Sequence, residues 1–138
     1  EISKNMKVLY ICRANFARSQ IAEALHNKLY GKGSISAGTM PGEYEGIPFN
    51  NYGKLELLEC LLEVGINISD KYPKQLTSEM IEGVDKVIVM AEPHTWPEYL
   101  KKSPKLEYWK ISDPAGRSLD FYRQTRDEIK SKIINSKS

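Results

Sequence analysis

Cys12 and Arg18 bracket five residues in Cys12-Arg13-Ala14-Asn15-Phe16-Ala17-Arg18-Ser19, and that pairing suits the chemistry of an anion. The stretch follows a short apolar run, Val8-Leu9-Tyr10-Ile11, and leads into a helical pattern. Between a strand and a helix, the backbone N–H groups of such a loop point inward as a nest, the helix presents its positive N-terminus, and an arginine grips two oxygens in a fork. The hole so formed has the shape of a phosphate. The same positive features stabilise a thiolate at Cys12, so the geometry that binds the anion also readies a sulfur nucleophile against it. Ser19 falls within reach of that sulfur, and Asn15 is a side chain able to brace a tight loop. The alternative is a structural cysteine closing a strand, with an exposed arginine beyond it.

A thiolate that attacks phosphorus must expel an alkoxide or phenolate, which departs far more readily when a carboxylic acid hands it a proton. Asp113-Pro114 follows the strand-like Tyr108-Trp109-Lys110-Ile111, on a loop that the proline stiffens, and is the candidate acid. Asp-Pro is also a common turn. Tyr44 and Phe49 are candidates to stack on a substrate ring, or else ordinary loop aromatics. His26 reads as a surface residue of a helix, and His94 as a loop residue with the cleft as its alternative. No grouping of His, Cys and carboxylates has ligand spacing, so neither a metal nor another cofactor is expected.

The elements that must position these residues alternate along the chain. Strand-like runs fall at Lys7 to Cys12, Ser34 to Ala37, Lys86 to Met90 and Glu107 to Ile111. Ile21, Leu25 and Leu29 predict a helix from Arg18 that Gly31 stops; a leucine-rich face predicts another from Asn50 to Val64, stopped by Gly65. A short helix is expected at Ser78 to Glu82, and Tyr122, Ile129 and Ile133 share a face of one from Ser118 to Ile134. Four βα units imply an α/β fold with a doubly wound parallel sheet and helices on both faces, in which ligands bind beyond the carboxyl ends of the strands. Cys12 and Asp113 both fall there.

At 138 residues, with 41% hydrophobic and 28% charged, the chain is expected to form one soluble domain over 1–138. Glu1 to Asn5 reads as an addition ahead of a native start at Met6. No apolar run reaches membrane-spanning length, and a net charge of +2 without a basic block argues against nucleic acid or anionic lipid as partner. Two cysteines are too few for a disulfide framework and point to a reducing compartment, the cytoplasm by default. Cys60, within Leu57-Leu58-Glu59-Cys60-Leu61-Leu62, reads as a small core hydrophobe, with a resolving thiol as its functional alternative.

Read together, the loop from Cys12 to Ser19 and Asp113-Pro114 resemble the low-molecular-weight protein tyrosine phosphatases and the related thioredoxin-type arsenate reductases, which share Cys-x5-Arg-Ser at this place. The resemblance runs from about Met6 to Ile134. It implies four strands in the order 2-1-3-4 and a monomer, with Cys12 as nucleophile, Arg18 as the oxyanion clamp and Asp113 as acid and then base. Arg13, Ala14, Asn15, Phe16, Ala17 and Ser19 would surround the phosphoryl oxygens, with Tyr44 and Phe49 flanking. The implied reaction is hydrolysis of a phosphotyrosine protein or another aryl phosphate through a cysteinyl phosphate; the alternative is reduction of an arsenate oxyanion with an external thiol donor. Asp70 stands where such phosphatases often carry a histidine that braces the loop asparagine, which puts bracing by Asn15 and Ser36 in question. Ala91 replaces an aspartate, Ala115-Gly116 replaces two tyrosines, and Ala17 replaces a thiol that in some members guards the nucleophile against peroxide. Met90-Ala91-Glu92-Pro93-His94-Thr95-Trp96-Pro97 lacks the resolving cysteines of thioredoxin-linked reductases.

Overall fold

The computed structural model describes residues 2–135, leaving Glu1 and 136–138 outside the description. Val8-Leu9-Tyr10-Ile11-Cys12 is apolar at every position because strand β1 (Val8–Cys12) is buried on both faces at the centre of the sheet. β2 (Ser34–Gly38) and β3 (Lys86–Val89) flank it, and β4 (Leu106–Tyr108) lies beyond β3, giving the order β2-β1-β3-β4 with every pairing parallel.

The twofold alternation of strand side chains divides the core. Val8, Tyr10 and Cys12 of β1, with Ile88 of β3, face α1 (Arg18–Tyr30), α2 (Glu56–Leu62) and α5 (Leu119–Asn135). Leu9, Ile11, Val87 and Val89 face the other way, against Ile81 of α3 (Ser78–Glu82) and Leu100 of α4 (Glu98–Lys101). Full burial of each large aliphatic side chain in these layers stabilises the fold by about 1.5–3 kcal/mol. Gly31, at φ 84°, closes α1 by returning its N–H to the Asn27 carbonyl, a left-handed cap that a side chain would strain.

Three expectations are corrected. The helix expected from Asn50 begins at Glu56, because Phe49–Tyr52 winds as a tighter turn and Gly53, at φ 75° and ψ −132°, breaks the path. β4 stops at Tyr108 and not at Ile111, since β3 offers it partners only as far as Val89. His26 is fully buried, its Nδ1 2.8 Å from the Tyr10 hydroxyl, because α5 packs along α1. Ile2 is fully buried in the core. Among the described residues no helix is long and apolar enough to cross a membrane.

Candidate active site

The loop between β1 and α1 turns on Asn15, the one non-glycine residue with positive φ (54°) among those described. Asparagine tolerates this region better than most residues, and its cost persists only where the surroundings enforce it. Here they do. Asn15 Nδ2 donates to Ser19 Oγ at 2.7 Å and to Ser36 Oγ at 3.0 Å, while its Oδ1 accepts from Gln20 Nε2 at 3.0 Å and from the Lys74 backbone N–H at 2.9 Å. Ser36 in turn donates to Glu23 Oε1 at 2.5 Å, and Lys71 Nζ lies 3.6 Å from the other oxygen of Glu23. Asp70 is exposed and outside this brace, which Gln20, Ser36 and Glu23 provide instead. The loop also lies directly on the end of β2: a Cβ at Gly38 would come within 2.8 Å of both the Arg13 carbonyl and the Asn15 nitrogen.

Cys12 ends β1 with 2% of its surface exposed, and its Sγ is 2.9 Å from Ser19 Oγ. Because Ser19 Oγ already accepts from Asn15, its own proton is free to point its positive end at the sulfur. α1 opens at Arg18 immediately past the loop, so its first backbone N–H groups and its positive end add to the same field.

Arg18 is 1% exposed, and two segments hold it, one following β3 and one following β4. Its Nη1 donates to the Met90 carbonyl at 2.7 Å, to the Ile111 carbonyl at 3.0 Å and to Glu92 Oε2 at 3.1 Å. Nη2 reaches Glu92 Oε1 at 3.4 Å and Asp113 Oδ2 at 3.5 Å, while the buried Nε has no hydrogen-bond partner among the described residues. A guanidinium clamped from one side with a donor left over is what a bound oxyanion requires. Burial disfavours the charge on Arg18, but the neighbouring Cys12, Glu92 and Asp113 outweigh it and raise its pKa above the ordinary arginine value. Burial alone would raise Glu92; the hydrogen bond from Arg18 and the nearby positive charges hold it below the usual carboxylate value.

Asp113 follows β4 on the same edge of the sheet, its Oδ1 accepting from the Ala115 backbone N–H at 3.1 Å. It lines, with Cys12 and Arg18, a cavity of about 380 Å³. Ala14, Phe16 and Ala17 of the loop and Tyr44 complete one side; Tyr52, Leu55, Glu56, Ala115, Gly116 and Tyr122 form the rest. Phe16 is the hub of the aromatic wall, with ring centroids 5.3 Å from Tyr44 and 5.4 Å from Tyr52 in edge-to-face contact.

The structure brings Cys12, Arg18, Asp113, Ala14, Phe16, Ala17 and Tyr44 to one cavity and places the other named residues elsewhere. Phe49 is fully buried, 5.0 Å behind Phe16, so it supports the wall and does not reach a substrate ring. Arg13 is exposed and outside the cavity lining, while the side chains of Asn15 and Ser19 are spent behind the loop. His94 is exposed and outside the lining too. Cys60 is a core residue, its Sγ on the Leu57 carbonyl at 3.3 Å, and burial pushes its thiol up to about 12. Sequence does not single out Glu92, Gln20, Glu23, Tyr52 and Glu56, and it reads Tyr122 only as part of a helix face. For Glu92 a signal existed, an acid just beyond the carboxyl end of a strand; the others meet the site only through the fold. Among the described residues no group of three or more His, Cys, Asp or Glu is arranged to hold a metal ion.

Comparison with known proteins agrees with this geometry. Over 133 residues the chain is 29% identical to an arsenate reductase of Staphylococcus epidermidis, covering 95% of each chain. The structure superposes on the low molecular weight protein tyrosine phosphatase of T. tengcongensis with a TM-score of 0.75 and 31% identity, covering 94% of this chain and 96% of that one. It also superposes on the YwlE arginine phosphatase of Geobacillus stearothermophilus with a TM-score of 0.71 and 26% identity, covering 94% and 88% of the two chains. Residues 7–136 match the low molecular weight phosphotyrosine protein phosphatase family, and the chain belongs to that family.

Proposed function

We propose that this protein is a cysteine-dependent phosphatase that hydrolyses phosphotyrosine or other aryl phosphate monoesters. The observation that carries the proposal is the meeting of the Cys12 sulfur, the clamped Arg18 guanidinium and the Asp113 carboxyl at one cavity with an aromatic wall. Cys12 Sγ attacks phosphorus, forming the S–P bond as the P–O bond to the leaving group breaks and protonated Asp113 gives its proton to the departing oxygen. Water then attacks the cysteinyl phosphate, Asp113 takes its proton, and the S–P bond breaks to release phosphate. Arg18 and the loop amides hold the equatorial oxygens in both steps, supplying mostly positioning and electrostatic stabilisation. Phe16, Tyr44 and Tyr52 offer edges and faces to a substrate ring.

Arsenate reduction is a second reading, favoured by the staphylococcal relative. The cradle would accept arsenate, but reduction to arsenite needs two electrons, and Cys60 is sealed in the core away from the cavity. The chain would therefore draw them from an external thiol.

Phosphate release from phenyl phosphate and from a phosphotyrosine peptide, measured beside arsenite formation from arsenate with thioredoxin and with glutathione, separates the two. The phosphatase reading expects steady phosphate release and little arsenite. Arsenite formation without aryl phosphate hydrolysis would overturn it.

A further inference from the structure

Tyr122 lines the cavity from the second turn of α5, and its hydroxyl makes no hydrogen bond among the described residues. The ring is 7% exposed, so packing fixes its position while the hydroxyl remains unspent. The groups that act on this phenol are the Asp113 and Glu56 carboxylates, both on the cavity wall, and the buried Cys60; burial and these neighbours push it up to about 12. It is therefore a neutral O–H donor throughout the working range, with two carboxylates as candidate acceptors.

Asp113 is short of such a donor. One oxygen accepts from the Ala115 N–H, and the other has, among the described residues, only Arg18 Nη2 at 3.5 Å. An oxyanion in the cradle competes for that guanidinium, so Asp113 loses its second tether at the moment it must be aimed at the leaving group. We propose that Tyr122 is a positioning residue for Asp113, its O–H holding the carboxyl, directly or through one water, while substrate occupies the loop. Glu56, exposed at the start of α2, also lines the cavity and is the competing acceptor. The inference rests on the phosphatase reading with Asp113 as general acid.

The test is Tyr122→Phe, which keeps the buried ring, assayed on phenyl phosphate and on an activated nitrophenyl phosphate, in the parent and in an Asp113→Asn background. Thermal midpoint and inhibition by inorganic phosphate confirm that fold and cradle are intact. The expected result is a loss of about tenfold in kcat/KM on phenyl phosphate, about twofold or less on the activated ester, and a displaced limb in the pH profile that reports the acid. In Asp113→Asn the same change should do nothing further, because both residues act at one proton. Equal losses on both esters, an undiminished loss in Asp113→Asn, or unchanged kinetics would each overturn the role of Tyr122. If the parent fails to hydrolyse either ester, or Asp113→Asn is as active on phenyl phosphate as the parent, the phosphatase reading itself fails, a different outcome from the same experiment.

Discussion

The two sides of the cavity are built to different standards. Behind the loop, Asn15 makes four hydrogen bonds, Ser19, Ser36 and Gln20 are satisfied through it, and every one of these side chains is buried. Across the cavity, Asp113 has one backbone donor, a 3.5 Å contact to Arg18 and a side chain that is 44% exposed. The contrast follows from what each side must do. A phosphoryl group has fixed dimensions, so the side that holds it gains from rigidity; a proton donor must follow leaving groups of several shapes, so its side tolerates looseness. Arg18 connects them, fastened to carbonyls at the ends of β3 and of the β4 path, with Glu92 on one flank and Asp113 on the other.

The largest expected effect comes from removing the nucleophile and leaving both sides standing. Cys12→Ser should abolish turnover while inorganic phosphate still binds, because a hydroxyl is far less ionised than a thiol in the same field. Residual aryl phosphatase activity beyond trace would place the nucleophile elsewhere. Asp113→Ala should strip only the loose side, lowering kcat/KM, which reports formation of the cysteinyl phosphate, by roughly two to four orders of magnitude on poor leaving groups and much less on activated esters. A uniform loss across leaving groups would make Asp113 a structural turn.

The rigid side is tested at Gly38. In Gly38→Ala the added methyl meets the Arg13 carbonyl and the Asn15 nitrogen at 2.8 Å, so the loop must shift. We expect weaker inhibition by phosphate and a stability loss of about 1–3 kcal/mol. Parent-like phosphate inhibition in a folded Gly38→Ala protein would show that the loop is not held against β2 as described.

How much of this was readable before folding depended on whether chemistry lay in consecutive residues. Cys12, Arg18 and Ser19 share one loop and Asp113-Pro114 one turn, so residue type and spacing reported them. Glu92, Tyr52 and Tyr122 arrive from three separate segments, and only the sheet order brings them to Cys12. Phe49 and Phe16 are alike as residue types, and nothing local says which one covers the other. His26 was misread for a related reason: helical periodicity shows one apolar face, whereas α1 is buried at every position from Arg18 to His26.

That buried histidine gives an effect on stability confined to acid pH, away from the site. Burial lowers its pKa to about 4, against about 6.5 for an exposed histidine, so protons bind the unfolded chain more tightly. The stability due to neutral His26 is therefore full above about pH 6.5 and is lost as pH falls through about 4, by up to roughly 3 kcal/mol. His26→Gln should flatten the dependence of denaturant midpoint on pH across that window. An unchanged slope would assign acid sensitivity to other groups.

The central claim, that Cys12 carries the phosphoryl group between a rigid cradle and a separate acid, is tested most directly by trapping the intermediate. Asp113→Ala should slow the second step, for want of a base, more than it slows departure of an activated leaving group. Rapid acid quench of Asp113→Ala turning over a nitrophenyl phosphate, followed by peptide mass spectrometry, should then find the phosphoryl group on Cys12. Continued turnover with Cys12 unmodified at every quench time, or the phosphoryl group on another residue, would contradict the account.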